Sequence, residues 1–136
     1  MTVEVHQEGP STGRGFVRTH SICVDRPIEK GGADQGPMGG ELLLVALGGC
    51  FLSNLLAAIR ARESAVDAVR VSVEARLEGV PERMTRFVLR VEARYDDAEL
   101  MRKLLTIAER GCIVSNTLRG VAPIEIELTS ARTHSM

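Results

Sequence analysis

Two thiols dominate what this chain could do chemically. Cys50 ends the run Glu41-Leu-Leu-Leu-Val-Ala-Leu-Gly-Gly-Cys50, and Cys112 opens the run Cys112-Ile-Val-Ser-Asn-Thr-Leu118. A thiolate held on a rigid element attacks an oxidant, and a second thiol brought beside it condenses with the resulting sulfenic acid to a disulfide. The third cysteine, Cys23, lies in a strand-like stretch with no distinguishing neighbours and reads as a small buried hydrophobe. Cys50 sits mid-helix by pattern, so its own helix N-terminus gives it no help. It needs a cation brought by tertiary contact. Arg14, Arg18 and Arg26 precede it, and Arg14 is flanked by glycines in Thr12-Gly13-Arg14-Gly15, on a turn free to reach a pocket. Spacing alone does not choose among the three. Cys112 follows a second helix, where the dipole disfavours a thiolate, which suits a resolving role. The two thiols stand 62 residues apart in sequence, so only folding can join them.

Metal chemistry lacks a ligand set. His20 and Cys23 are three apart on an expected strand and point to opposite faces. His6 and His134 stand alone, and neither a Cys-x-x-Cys nor a His-x-x-x-His pair occurs. The glycine-rich loop lacks the Lys-Ser/Thr of a phosphate loop. No metal or cofactor is expected. A net charge of −1, with arginines spread along the chain, offers no track for nucleic acid and no patch for an anionic membrane. The opening Met-Thr-Val-Glu-Val-His has neither a basic start nor an apolar signal core. With three cysteines and no export signal, the expected compartment is a reducing cytosol.

The elements that must position these thiols follow from hydrophobic periodicity. The 136 residues suit one domain with a real core. Val3 and Val5 mark a short first strand, Gly9 to Gly13 a turn, and Phe16 to Val24 a second strand. A glycine-rich loop fills residues 25 to 40. An apolar helix runs from about Glu41 to Arg62. From Leu42 to Ile59 it carries no charge, close to the length of a membrane span. Gly48, Gly49, Ser53 and Asn54 lower its hydrophobicity, so cover by protein on all sides is expected instead. Gly48-Gly49 costs this helix roughly 2 kcal/mol relative to alanines, which implies a close approach to its backbone. Leu47, Phe51 and Leu55 are expected to wall an apolar pocket beside Cys50.

Residues 69 to 77 and 87 to 95 alternate apolar with charged and form a hairpin through Gly79-Val-Pro81-Glu. Its Arg/Glu face reads as cross-strand ion pairing in water. Asp96 with Glu99 is an acidic N-cap pair for a second helix, with Leu100, Leu104, Ile107 and Ala108 as its buried stripe and Gly111 as its stop. Val114 to Gly120 suits a short helical turn and Pro123 to Leu128 a last strand. The order β-β-α-β-β-α-β gives an α+β class.

Three runs in combination resemble the OsmC/Ohr family of osmotically inducible and organic hydroperoxide resistance proteins: Gly31-Gly-Ala-Asp-Gln-Gly36-Pro and the two cysteine motifs. The resemblance covers nearly the whole chain. It implies an intertwined homodimer whose antiparallel sheets wrap around central helices, with active sites at the dimer interface. It also implies thiol-dependent reduction of organic hydroperoxides, with electrons from a dithiol such as protein-bound dihydrolipoyl groups. Cys50 matches the peroxidatic cysteine, Cys112 the resolving one, and Arg14 the pocket arginine of the first hairpin. The hydroperoxidases carry a glutamate ten residues before the cysteine. Gly40 holds that place, and Glu41, nine before, is the match. Ile113 stands where many relatives have proline. The Glu-Leu-Leu-Leu form resembles the less characterised OsmC-like branches. The rival expectations are a non-catalytic dimer holding an apolar ligand at its interface, and a redox-sensing stress protein.

Overall fold

The computed structural model describes residues 1–132. The elements run β1 (Glu4–Gln7), β2 (Gly13–Val17), β3 (His20–Val24), a 3-10 turn (Ile28–Lys30), α1 (Gly39–Ala61), β4 (Asp67–Glu78), β5 (Arg83–Arg94), α2 (Ala98–Gly111), α3 (Ile113–Leu118) and β6 (Ile124–Arg132). This is an α+β chain. It divides into two compact units, Met1–Leu43 and Leu44–Met136.

The first unit is an antiparallel sheet in the order β1-β2-β3. The single strand expected over Phe16 to Val24 is two strands. The chain reverses at Arg18-Thr19, with Val17 opposite His20 and Phe16 opposite Ser21. Arg18 takes the left-handed conformation at φ 52° that a tight hairpin turn requires. Neither turn residue is glycine, asparagine or proline, so ordinary turn signals were missing. Beyond β3 the glycine-rich loop folds around Asp25, which is 2% exposed. Burial pushes the Asp25 carboxyl up, yet the Arg26 and Gln35 N–H groups and the Ser11 and Thr12 hydroxyls all donate to it and hold it well below the usual carboxylate range. The loop closes tightly because Gly36 has no side chain: a Cβ there would collide with the Cys23 carbonyl.

The second unit places β5 between β4 and β6. β4 and β5 form the expected antiparallel hairpin. β6 is the exception to the antiparallel pairing expected throughout. It runs parallel to β5, because α2 and α3 carry the chain back before it re-enters the sheet. Leu47, Phe51, Leu55 and Ala58 of α1 recur at helical spacing and pack with Phe87, Leu89 and Val91 of β5 and Met101, Leu104 and Ala108 of α2. Leu47, Phe51 and Leu55 are fully buried, so they are core and not the walls of an open pocket. Gly48 lets the helix touch the sheet: a Cβ there would stand 2.7 Å from Val73 Cγ2.

α1 is long and apolar enough to cross a membrane by length and composition, with 33% of its most apolar 18 residues buried. Within the second unit it is covered on one face only. Val45, 65% exposed, and Leu56 lie on the open side. The opposite face of the sheet is charged. Arg90 reaches both Glu74 (2.7 Å) and Glu127 (3.4 Å), Arg94 pairs with Asp67 (2.9 Å), and Arg70 with Glu92 (3.0 Å). Each pair sits in water and adds little to stability. α2 is capped by Asp97 rather than Asp96, its carboxylate accepting from the Leu100 N–H at 3.1 Å. Met101 and Leu105 join Leu104 and Ala108 on the buried stripe, and Leu100 and Ile107 flank it.

Candidate functional site

Cys50 and Cys112 meet in the second unit. Cys50 lies halfway along α1 and is half-buried; Cys112 is fully buried. One turn beyond Cys50, the Asn54 amide lies beside Gly111, the residue before Cys112; a Cβ on Gly111 would be 3.5 Å from Asn54 Nδ2. Burial pushes the Cys50 thiol up. Hydrogen bonds from the Val114 N–H, the Cys112 thiol and the Ile113 N–H outweigh burial and bring it below its ordinary value. Within the second unit, then, backbone and thiol donors lower the Cys50 value.

Those donors exist because Cys112 is a joint as well as a stop. It ends α2 and is the N-cap of α3. In an extended conformation (φ −81°, ψ 108°) it aims its sulfur at the start of α3, where the sulfur accepts from the Ser115 N–H at 3.4 Å. A thiol thus fills the place that serine, threonine, asparagine or aspartate takes at most helix starts. The expected setting for Cys112, facing the carbonyl end of α2, is corrected: its sulfur faces amide groups of the next helix. The last carbonyls of α2 are taken by others. Glu109 O accepts from the Cys112 N–H (3.2 Å) and the Ser115 hydroxyl (3.3 Å), and Arg110 O accepts from Asn116 Nδ2 (3.1 Å). The whole motif is used: Cys112 for its thiol, Ile113 and Val114 for their N–H groups, Ser115 and Asn116 to bind back to α2. Its signal in the sequence was a potential cap followed three residues later by a polar side chain, with cysteine standing in for serine.

Arg14 and Glu41 lie in the first unit, and each has a partner there. Arg14 sits on β2 and holds Glu8 through two bonds, Nε to Oε2 at 2.5 Å and Nη2 to Oε1 at 3.2 Å, while Nη1 donates to Ser21 Oγ at 3.3 Å. Hydrogen bonding to Glu8 raises the Arg14 value and lowers that of Glu8. Glu8 was not singled out from sequence. Glu41 stands in the first turn of α1, its carboxylate accepting the Met38 N–H at 2.8 Å. Within the first unit, the carboxylate that holds Arg14 is therefore Glu8, and Glu41 acts as a helix cap. Cys23, half-buried on β3, is the cross-strand neighbour of Arg14. Among the described residues no three His, Cys, Asp or Glu side chains cluster to hold a metal ion. His134 lies outside the described residues.

A groove of about 450 Å³ runs along the second unit between α1 and β4, lined by Val45, Gly49, Leu52, Val69, Val71 and Val73. Gly49 faces open space there: a Cβ on it would meet no atom within 4 Å.

The fold has close counterparts among solved structures. An OsmC-like protein from Mycoplasma pneumoniae matches with a TM-score of 0.81 at 17% identity, covering 97% of this chain and 95% of that one. An organic hydroperoxide resistance protein from Elizabethkingia anophelis matches at 0.71 and 21%, covering 98% and 97%. The organic hydroperoxide resistance protein OhrB of Bacillus subtilis matches at 0.70 and 18%, covering 95% and 98%. At such identities the likeness is one of fold. No curated protein matches the chain. The sequence model described as OsmC-like protein spans residues 31–127, from the glycine-rich loop through both thiol motifs to β6. With that match over most of its length, and with both cysteine motifs folded into one site, the chain belongs to the OsmC-like family.

Proposed function

We propose that this protein is a thiol peroxidase that reduces organic hydroperoxides to alcohols. The observation that carries the reading is the Cys112 thiol and two backbone N–H groups gathered on Cys50, lowering its pKa. A thiolate in that setting is the nucleophile the reaction needs. Cys50 attacks the distal peroxide oxygen. The O–O bond breaks, the alkoxide takes a proton and leaves as alcohol, and Cys50 becomes a sulfenic acid. Cys112 then attacks the Cys50 sulfur, and water departs as the disulfide forms. An external dithiol, of the dihydrolipoyl type, returns both thiols and is itself oxidised to a disulfide. Arg14 is assigned to stabilise charge on the departing oxygen, and Glu41 to accompany it, on their match to the family's pocket residues.

The active form in this reading is a homodimer. The open apolar face of α1 and the groove beside Gly49 support that assembly, since an uncovered patch of this kind on a soluble protein calls for a partner. A cytoplasmic location agrees with reduced thiols. Neither nucleic acid nor membrane enters the reaction.

The test is consumption of cumene hydroperoxide with dihydrolipoamide as reductant, for the native chain and Cys50→Ser. Loss of activity in the variant, with a Cys50–Cys112 disulfide seen by mass spectrometry after one equivalent of peroxide, supports the reading. Full activity in Cys50→Ser removes it.

A further inference from the structure

Ser115 is 1% exposed and, with Asp25, is one of the two buried polar residues among those described. Its partners are unusual for a residue in the first turn of a helix. The main-chain N–H donates to Cys112 Sγ at 3.4 Å. The hydroxyl points back across the joint, toward Cys112 O at 3.2 Å and Glu109 O at 3.3 Å. One hydroxyl hydrogen serves both carbonyls as a shared donor. Glu109 O also receives the Cys112 N–H at 3.2 Å. One residue therefore grips Cys112 by its sulfur and its carbonyl, and grips the end of α2 that Cys112 terminates.

We propose that Ser115 is a positioning residue for the thiol pair, its hydroxyl fixing the α2–α3 joint so that Cys112 and the Ile113 and Val114 N–H groups stay aimed at Cys50. The proposal rests on Cys50 as the attacking thiol. The main-chain bond and the two hydroxyl bonds have separate duties. The bond to Sγ holds the reduced Cys112 thiol in place and must loosen when that sulfur turns to bond Cys50. The hydroxyl bonds go to carbonyl oxygens, whose electrons take no part in disulfide formation. They keep the joint closed through sulfenic acid, disulfide and re-reduction. Without them the first turn of α3 is tied to α2 only by the Cys112 N–H and Asn116, while the Arg119–Glu109 pair (2.7 Å) holds its far end, so the turn that carries the Ile113 and Val114 N–H groups loses its buried anchor.

The test uses the full chain as native protein, Ser115→Ala and Ser115→Thr. Three quantities are read: the pH midpoint of Cys50 alkylation by iodoacetamide, followed on the Cys50 peptide; the rate of Cys50–Cys112 disulfide formation after one equivalent of cumene hydroperoxide; and the melting temperature. Ser115→Ala is expected to move the Cys50 midpoint upward and slow disulfide closure roughly tenfold, the worth of one buried hydrogen bond. Ser115→Thr keeps the hydroxyl and is expected to keep both native values. An unchanged midpoint and closure rate in Ser115→Ala, whatever its melting temperature, overturns the proposal. If Ser115→Ala does not fold, Ser115→Thr decides: native values support the positioning role and shifted values overturn it. A native protein that forms no disulfide removes the peroxidase reading, and the alkylation midpoints still judge Ser115.

Discussion

The Cys112 thiol donates a hydrogen bond to the Cys50 sulfur from the one residue that separates α2 from α3. The two thiols are thus in contact in the reduced chain, and the Cys112 thiol helps to ionise Cys50. Replacing Cys112 has two separable consequences. Cys112→Ala removes a donor from Cys50, so the Cys50 pKa rises and alkylation near neutral pH slows severalfold. In the proposed cycle it also removes the resolving thiol, so after one equivalent of peroxide the Cys50 sulfenic acid is expected to persist and be trapped by dimedone. Alkylation against pH, read separately from dimedone labelling, checks each.

The Cys50 titration has a defined sign. Its pKa in the folded chain is lowered, so its thiolate midpoint lies below that of a free thiol, near 8.5. The rate of reaction with an organic hydroperoxide is expected to rise with pH through a midpoint below that value and then level off. A midpoint at or above 8.5 in stopped-flow measurements contradicts the hydrogen-bond arrangement.

Ile113 allows a cleaner dissection. It is the first residue of α3, 65% exposed, and its N–H is one of the donors to Cys50. Proline is well tolerated at a first helical position and wants an extended residue before it, which Cys112 is. Ile113→Pro is therefore expected to keep the fold and melting temperature while removing one N–H from Cys50. The Cys50 pKa should rise. Differential scanning calorimetry together with thiol titration distinguishes this from general damage.

Periodic burial was readable from sequence; the joints were not. β4 and β5 emerge where alternation predicts them, because their apolar residues face a core built by α1 and α2. The hairpin at Arg18-Thr19 escaped because its left-handed residue is an arginine, held there by the pairing of β2 with β3. The site was half legible. Both thiols stood out, yet their meeting depends on the path of α2 and α3, and no spacing rule encodes it. The local source of thiolate stabilisation was missed because Cys112 was read only as the end of one helix. Its neighbours Ile113 and Val114 contribute through main-chain N–H groups, which carry no signature in residue type.

Asp25 gives the first unit a pH signature. Burial raises its pKa, but the Arg26 and Gln35 N–H groups and the two hydroxyls lower it further, and the net is a fall. A carboxyl depressed in the folded state contributes stability above its unfolded value, about 3.9, and loses it as pH drops through the folded value. Asp25→Asn is expected to melt at a lower temperature than native at pH 7, with the gap narrowing once the pH falls below about 4. Melts followed by circular dichroism at pH 7 and pH 3 measure it. A constant gap at both would mean that the carboxylate's charge is not what the surrounding donors hold.

Gly48 and Gly49 are adjacent in sequence and face different surroundings. Gly48 touches Val73, and the 2.7 Å left for a Cβ is shorter than real contacts allow. Gly48→Ala must displace the stiff Val73 side chain or push α1 from the sheet, and overpacking of this kind costs about 1–3 kcal/mol. Gly49 faces open space, so in an isolated chain Gly49→Ala should gain up to about 1 kcal/mol from helix propensity alone. If a second copy crosses α1 there, the same methyl group intrudes on the helix contact. Gly49→Ala is then expected to keep its circular dichroism spectrum and sediment with a larger monomer fraction than native. Gly48→Ala should lower the unfolding midpoint at any protein concentration. Sedimentation velocity over a dilution series reads the first, and urea denaturation the second. A Gly49→Ala protein more stable than native and unchanged in assembly would mean that no second copy crosses α1 at Gly49.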